Sequence, residues 1–238
     1  MSLNAHRRCA FSMIDVMVMQ LAISMPGYTK VREHANRLVC RSNIRQIGYG
    51  LAMYADQNRD RLPPTMFVTP NSGSKAAPLD TTTLRLSVSE TTELKSPWDG
   101  IGILFVEGIL PTLRIFYCPS NTGPSQFEHI AMTYESQPGR VAGNYQFRGI
   151  GPNGEVRLSH IEPNRSALIS DSLRSKSDYS HRAGTNVLRA DLSVFWYADS
   201  AGTLSKTLAE DGATGAVANP AVASAWLKLD AAAVDSPK

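Results

Sequence analysis

A single apolar stripe decides what the front of this chain can become. Cys40, Ile44, Ile47, Leu51 and Tyr54 recur at steps of four, three, four and three, the spacing that aligns side chains along one face of an α-helix. The pattern predicts a helix from Tyr28 to about Asn58. It halts at "DQNRDRLPP", because Pro63 and Pro64 offer no N–H and disfavour helical backbone in the residue ahead of them. A helix with one apolar face needs a cover, so the rest of the chain must supply a surface to lie on it. The chain can do so: 42% of its 238 residues are hydrophobic and 19% charged, proportions that exclude wholesale disorder.

Ahead of the helix stands "MSLNAHRRCAFSMIDVMVMQLAISMP". A basic head (His6, Arg7, Arg8) precedes an apolar run from Phe11 to Met25, closed by Pro26 and Gly27. That is the order of a signal or anchor segment. The run is 15 residues long and contains Asp15, short of the roughly 20 apolar residues of a free membrane span. Arg37, Arg41 and Arg45 follow at i, i+4, i+8 on a second helix face, with Lys30 on the same side. Such a ridge is either solvated or set against lipid head groups. Through residue 62 the chain holds nine Lys/Arg against four Asp/Glu, and the remainder 15 against 17. The basic charge is thus an N-terminal property, suited to a membrane surface or an anionic partner.

Beyond the helix the chain reads as loops and short strands. Asp56, Asn58 and Asp60 have the spacing of a calcium loop, but Arg61 and Phe67 stand where that loop takes Gly and Glu. Residues 63 to 97 are loop-like, with "TLRLSVSE" as a candidate strand. "WDGIGILFVEGIL" lacks the third glycine of a dinucleotide loop, Phe105 standing there, and reads as a short packed helix. "GNYQFRGIG" and "SALISD" read as strands. "TNVLRA" and "SVFWY" flank a turn at "ADLS", a hairpin with Val187, Val194 and Trp196 as inward candidates. From Ser200 the Ala/Gly/Thr-rich tail carries least evidence of order, with Trp226, Leu227 and Leu229 its expected core residues.

Catalytic and metal signals are weak. Cys9, Cys40 and Cys118 lack the paired spacing of a zinc or thioredoxin-like site and are too few for a disulfide scaffold. Asp171, His181 and Asp191 form the one candidate acid/base or metal set, short of a second histidine. Ser170 and Ser172 have no nucleophile elbow around them, and His34, His129 and His160 have no motif. His181 and Asp191 read instead as builders of the loop and turn of the hairpin, Asp191 accepting nearby backbone N–H groups. No catalytic, cofactor-binding or metal-ligating residue is therefore assigned.

Taken in order, the motifs Arg7-Arg8, "FSMID" (11–15), Pro26, "CRSNIRQIG" (40–48), "YADQN" (54–58), Pro63-Pro64, "FYCPS" (116–120) and His181 with Asp191 resemble one known group. They are similar to the bacterial pseudopilin-like proteins with a prepilin-type N-terminal segment and an H-x9-DG region, related to type II secretion major pseudopilins. Three positions depart from that pattern: Ala10 where glycine precedes the cleaved bond, Asp15 where glutamate is usual, and Leu192 where the turn has glycine.

The resemblance implies an α+β, pilin-like, loop-rich fold. Its long N-terminal helix, broken or bent near Pro26-Gly27, packs its C-terminal half on an antiparallel sheet. Three regions are implied: a leader and anchor at 1–27, a globular domain at 28–199 and an Ala/Gly-rich segment at 200–238. The function implied is that of a non-catalytic envelope subunit of a type II secretion or type IV pilus-like system, partnered by other such subunits and by the inner membrane, and not by nucleic acid. Prepilin peptidase would cut between Ala10 and Phe11, and Asp15 would neutralise a neighbouring subunit's N-terminal amine. Removal of Cys9 would leave Cys40 and Cys118 as an expected disulfide pair. Two further classes stand beside this one: an envelope module holding a glycan or peptide in loops 63–97, and a hydrolase built on Asp171, His181 and Asp191.

Overall fold

The computed structural model describes residues 13–70, 76–90, 96–123, 125–130, 134 and 138–235. The expected processing site Ala10–Phe11 lies outside the described residues. Asp15 falls on a helix, but its side chain is likewise outside them. The chain divides into two units, Met1–Ala35 and Asn36–Lys238. What is described of the first is helix. Its apolar Val31 is 69% exposed.

The amphipathic stripe and the segment before it form one helix, α1 (Met13–Gln57). A break or a bend is expected near Pro26-Gly27; no break stands there, and the helix continues past both residues although Pro26 has no N–H to donate. The stripe does what its spacing requires: Cys40, Ile44, Ile47 and Leu51 are wholly buried and Tyr54 nearly so. Burial of each of the aliphatic three contributes about 2 kcal/mol. α1 ends where Arg59 and Asp60 turn left-handed (φ 57° and 65°) and the Asp60 N–H donates to the Ala55 carbonyl at 2.7 Å, a left-handed C-terminal closure. The Asp60 carboxylate accepts the N–H of Ser159 at 3.1 Å as well as its hydroxyl. That acid therefore docks a loop.

The cover for the stripe is a four-stranded antiparallel sheet in the order β3 (Tyr145–Phe147), β4 (Ala167–Asp171), β5 (Gly184–Arg189), β6 (Val194–Ala198). A small antiparallel pair, β1 (Thr83–Arg85) with β2 (Val141–Ala142), lies apart from it. Only the first three residues of "TLRLSVSE" make strand. Val88–Glu90 is instead a 3₁₀ turn, because the Glu90 carboxylate captures both the N–H and the hydroxyl of Ser87. The "GIGILFV" stretch is a 3₁₀ turn leading into the one-turn helix α2 (Ile103–Val106). A further single turn, α3, spans Phe127–Ile130.

The sheet is covered on both faces. Ile169, Leu188 and Val194 share a core with the α1 stripe. A methyl placed on Gly48 would lie 2.8 Å from Leu188 Cδ1, so glycine there lets α1 approach closely. Val187 and Phe195 share a second core with α4 (Gly215–Asp235). This helix occupies the tail, where the sequence argued for least order. Trp226 and Leu229 are buried in it as expected, but Leu227 is 67% exposed. Arg148 pairs with Asp230 at 2.8 Å, and the Asp230 carboxylate also accepts the Ala167 N–H. Buried Arg189 reaches from β5 to the Ala233 carbonyl at 3.0 Å, placing a cation at the C-terminal end of the helix dipole.

The fold is thus α+β and loop-rich, a long N-terminal helix on an antiparallel sheet. Among the described residues no helix is long and apolar enough to cross a membrane.

Candidate functional site

Four segments meet at one buried point. Cys40 arrives on the first turn of the α1 stripe. Cys118 follows a 3₁₀ turn at Leu113–Phe116, its N–H held by Asn144 Oδ1 at 3.1 Å. Asp171 is the last residue of β4, opposite Tyr145 in register. His181 stands in the loop before β5. There Arg182 takes φ 50° and the Ala183 N–H folds back to the His181 carbonyl. One ligand-competent atom from each of these residues lies within 4.8 Å of all the others. Exposure is at most 5% for any of the four.

The geometry within the cluster is specific. His181 Nε2 lies 3.5 Å from Cys118 Sγ and 3.8 Å from Asp171 Oδ2. Trp196 packs edge-on to the imidazole, centroids 5.8 Å apart. Asp171 Oδ2 accepts the Asn186 N–H at 2.7 Å and the Thr185 hydroxyl at 3.2 Å. Its other oxygen, Oδ1, is buried without a hydrogen-bond donor among the described residues. Burial pushes the Asp171 carboxyl above its usual range, opposed by His181 and the Asn186 N–H. Burial also acts to raise the Cys118 thiol, but hydrogen bonds from Cys40 and His181 outweigh it and bring it down to about 7. The Cys40 thiol is pushed up by burial and by the bond it donates to Cys118. Of the two thiols, Cys118 is the more acidic.

This arrangement limits the chemistry. A nucleophile–base–orienter relay uses both imidazole nitrogens, one toward the nucleophile and one toward the acid. Here the same Nε2 faces both partners, so the set does not make such a relay. Two sulfurs, an imidazole nitrogen and a carboxylate oxygen form a donor set for a soft or borderline metal, or a dithiol pair. The cysteines expected to be bonded are present as two buried free thiols, in the same cluster.

Of the set Asp171, His181 and Asp191, the first two converge and the third does not. Asp191 lies in the turn between β5 and β6. Its Oδ1 accepts the Ser193 N–H at 2.9 Å, and its own N–H donates to the Pro163 carbonyl at 2.8 Å. His34, His129 and His160 are all exposed. The basic ridge is partly engaged rather than solvated: Arg37 stacks 3.5 Å from the Trp196 ring centroid, and Arg41 donates to the Val194 carbonyl at 3.0 Å. Sequence reasoning missed the meeting of both cysteines with Asp171 and His181, since no two of the four share a local spacing. The available signal was partial: Cys40 and Cys118 are an expected pair in two short motifs, and Asp171 and His181 belong to one candidate set. No family model, no curated protein and no solved structure matches the chain.

Proposed function

We propose that this chain is a non-catalytic, pseudopilin-like envelope subunit of a type II secretion or type IV pilus-like system. In this reading its N-terminal helix holds it at the inner membrane, with the globular unit outside the cytoplasm. The observation that carries the proposal is α1 itself: one helix of 45 residues whose stripe from Cys40 to Tyr54 is buried by its own sheet. Val31, Leu38 and Val39, on the same helix, are 69%, 54% and 48% exposed. Apolar positions left uncovered on a helix are what a neighbouring subunit would bury. Asp15 would then pair with a neighbour's N-terminal amine, since a charge buried in such an assembly needs a partner.

Intact mass and membrane fractionation of the native protein test this directly. The expected result is a mature chain beginning at Phe11, cleaved after Ala10 and recovered with membranes. A chain beginning at Met1 or Ser2 and recovered wholly in the soluble fraction overturns it. A second reading has its own observation, a cleft of about 480 Å³ lined by Tyr54, Arg61, Pro63, Thr65 and Val68. An aromatic ring and a guanidinium in a cleft beside loop 63–70 suit a glycan or a peptide. Ligand-dependent protection of that loop from hydrogen exchange would favour this module over the structural subunit.

A further inference from the structure

We infer that Cys40, Cys118, Asp171 and His181 form a closed, four-ligand zinc site that fastens α1 to the sheet. The distances have the right scale. Zinc bonds of about 2.0 to 2.3 Å in a tetrahedron place neighbouring ligand atoms about 3.3 to 3.8 Å apart. The Cys118 Sγ–His181 Nε2 and His181 Nε2–Asp171 Oδ2 separations are 3.5 and 3.8 Å, and the whole set falls within 4.8 Å.

The site is also built, with each donor oriented from behind. Asn144 fixes the Cys118 backbone, Thr185 and Asn186 hold Asp171 Oδ2, and the Tyr145 hydroxyl contacts Cys40. Such outer partners aim ligands at a metal. Asp171 is a carboxylate of 0% exposure whose Oδ1 has no hydrogen-bond partner among the described residues, and a dication held by that carboxylate would balance its buried charge.

Donor chemistry selects the ion. Two sulfurs with one imidazole and one carboxylate suit zinc over calcium or magnesium, which prefer all-oxygen shells. Four protein donors leave no open position for water, the mark of a structural rather than a hydrolytic site. The ligands come from α1, the segment after Phe116, the end of β4 and the loop before β5. One ion would therefore cross-link elements far apart in sequence, and its binding free energy would add to folding.

The test uses the full chain, reduced, stripped of metal by a chelator and titrated with cobalt(II) and then zinc. The expected result is about one cobalt per chain, with tetrahedral visible bands and thiolate-to-cobalt charge transfer, displaced by zinc with a rise in Tm. Cys40→Ser and Cys118→Ser should each weaken binding at least about 100-fold, and Thr185→Val, which only supports Asp171, about 10-fold. Cys9→Ser should bind as wild type. Because the core variants risk unfolding, the wild-type spectrum carries the test by itself. Folded, reduced wild type that takes up neither ion overturns the inference. So does a six-coordinate cobalt spectrum without charge transfer, or a native Cys40–Cys118 disulfide found by alkylation and mass.

Discussion

Leu192 is the residue whose replacement reads out the strain in the hairpin. β5 and β6 are joined by Ala190, Asp191, Leu192 and Ser193. The Leu192 N–H closes onto the Arg189 carbonyl at 3.0 Å and the Arg189 N–H onto the Ser193 carbonyl at 2.9 Å. Leu192 takes φ 64°, the third loop position where a bulge of this kind ordinarily has glycine. A β-carbon in that left-handed conformation costs about 1 to 2 kcal/mol. Leu192→Gly removes the strain, but it also loosens the unfolded chain, costing about 0.5 to 1 kcal/mol, and deletes the contacts of a half-buried side chain.

The clean comparison is therefore between Leu192→Gly and Leu192→Ala, which both lose those contacts and differ only in the β-carbon. Glycine should be the more stable of the two by about 0.5 to 1 kcal/mol, the reverse of their order in regular structure. Urea unfolding followed by far-UV circular dichroism measures it, as a higher midpoint for the glycine variant at equal slope. The alanine variant proving as stable as the glycine variant, or more so, would refute the claim that backbone strain resides at this turn.

Two further outcomes follow from close packing and charge. A β-carbon on Gly102 would lie 2.1 Å from the Leu84 carbonyl oxygen and 2.8 Å from the Leu84 Cα. Backbone cannot step aside as a side chain can, so Gly102→Ala should cost about 3 kcal/mol, read from the same urea midpoints. Glu90 is held down to about 2 chiefly by its hydrogen bonds with Arg140, helped by Ser87, and Asp80 sits 3.2 Å from the same guanidinium. Its folded value is depressed, so its stabilisation is complete above about 4.5 and lost as pH falls toward about 2. Solvent exposure of the pair limits the loss to about 1 kcal/mol. Arg140→Gln should flatten that part of a thermal stability–pH profile, and an unchanged slope would remove the pair from the account.

What was legible in the sequence follows from the range of the physics involved. The α1 stripe and the β5–β6 hairpin are written in residue spacing a few positions long, and both stand in the structure where that spacing puts them. α4 was not legible because its buried face is largely small: Ala218, Val222, Ala225, Trp226, Leu229 and Ala233 keep helical spacing, but alanine gives little hydropathy contrast. Pro220 inside the helix further disguises it. Of the cluster, two separate pairings are legible in the sequence, Cys40 with Cys118 and Asp171 with His181. Their meeting depends on strand register and loop closure over the whole domain, which no local pattern records. That Arg37 and Arg41 meet β6, rather than solvent or lipid head groups, was not legible, because an edge strand cannot be placed beside a helix before the sheet is known.

The order in which the layers leave the ribosome has its own consequence. The Arg41 side chain and its acceptor on Val194 are 153 residues apart, a gap that takes roughly 8 to 30 s to synthesise at about 5 to 20 residues per second. Through that interval the helix bearing Ile44, Ile47 and Leu51 exists without the sheet that will cover it. Loop closure over such a distance is slow and leaves apolar surface open to other chains. Production of this protein should therefore be governed by how well that bare helix face is shielded during synthesis, and a holdase binding residues 40–54 should raise the folded yield more than any change that strengthens the finished core.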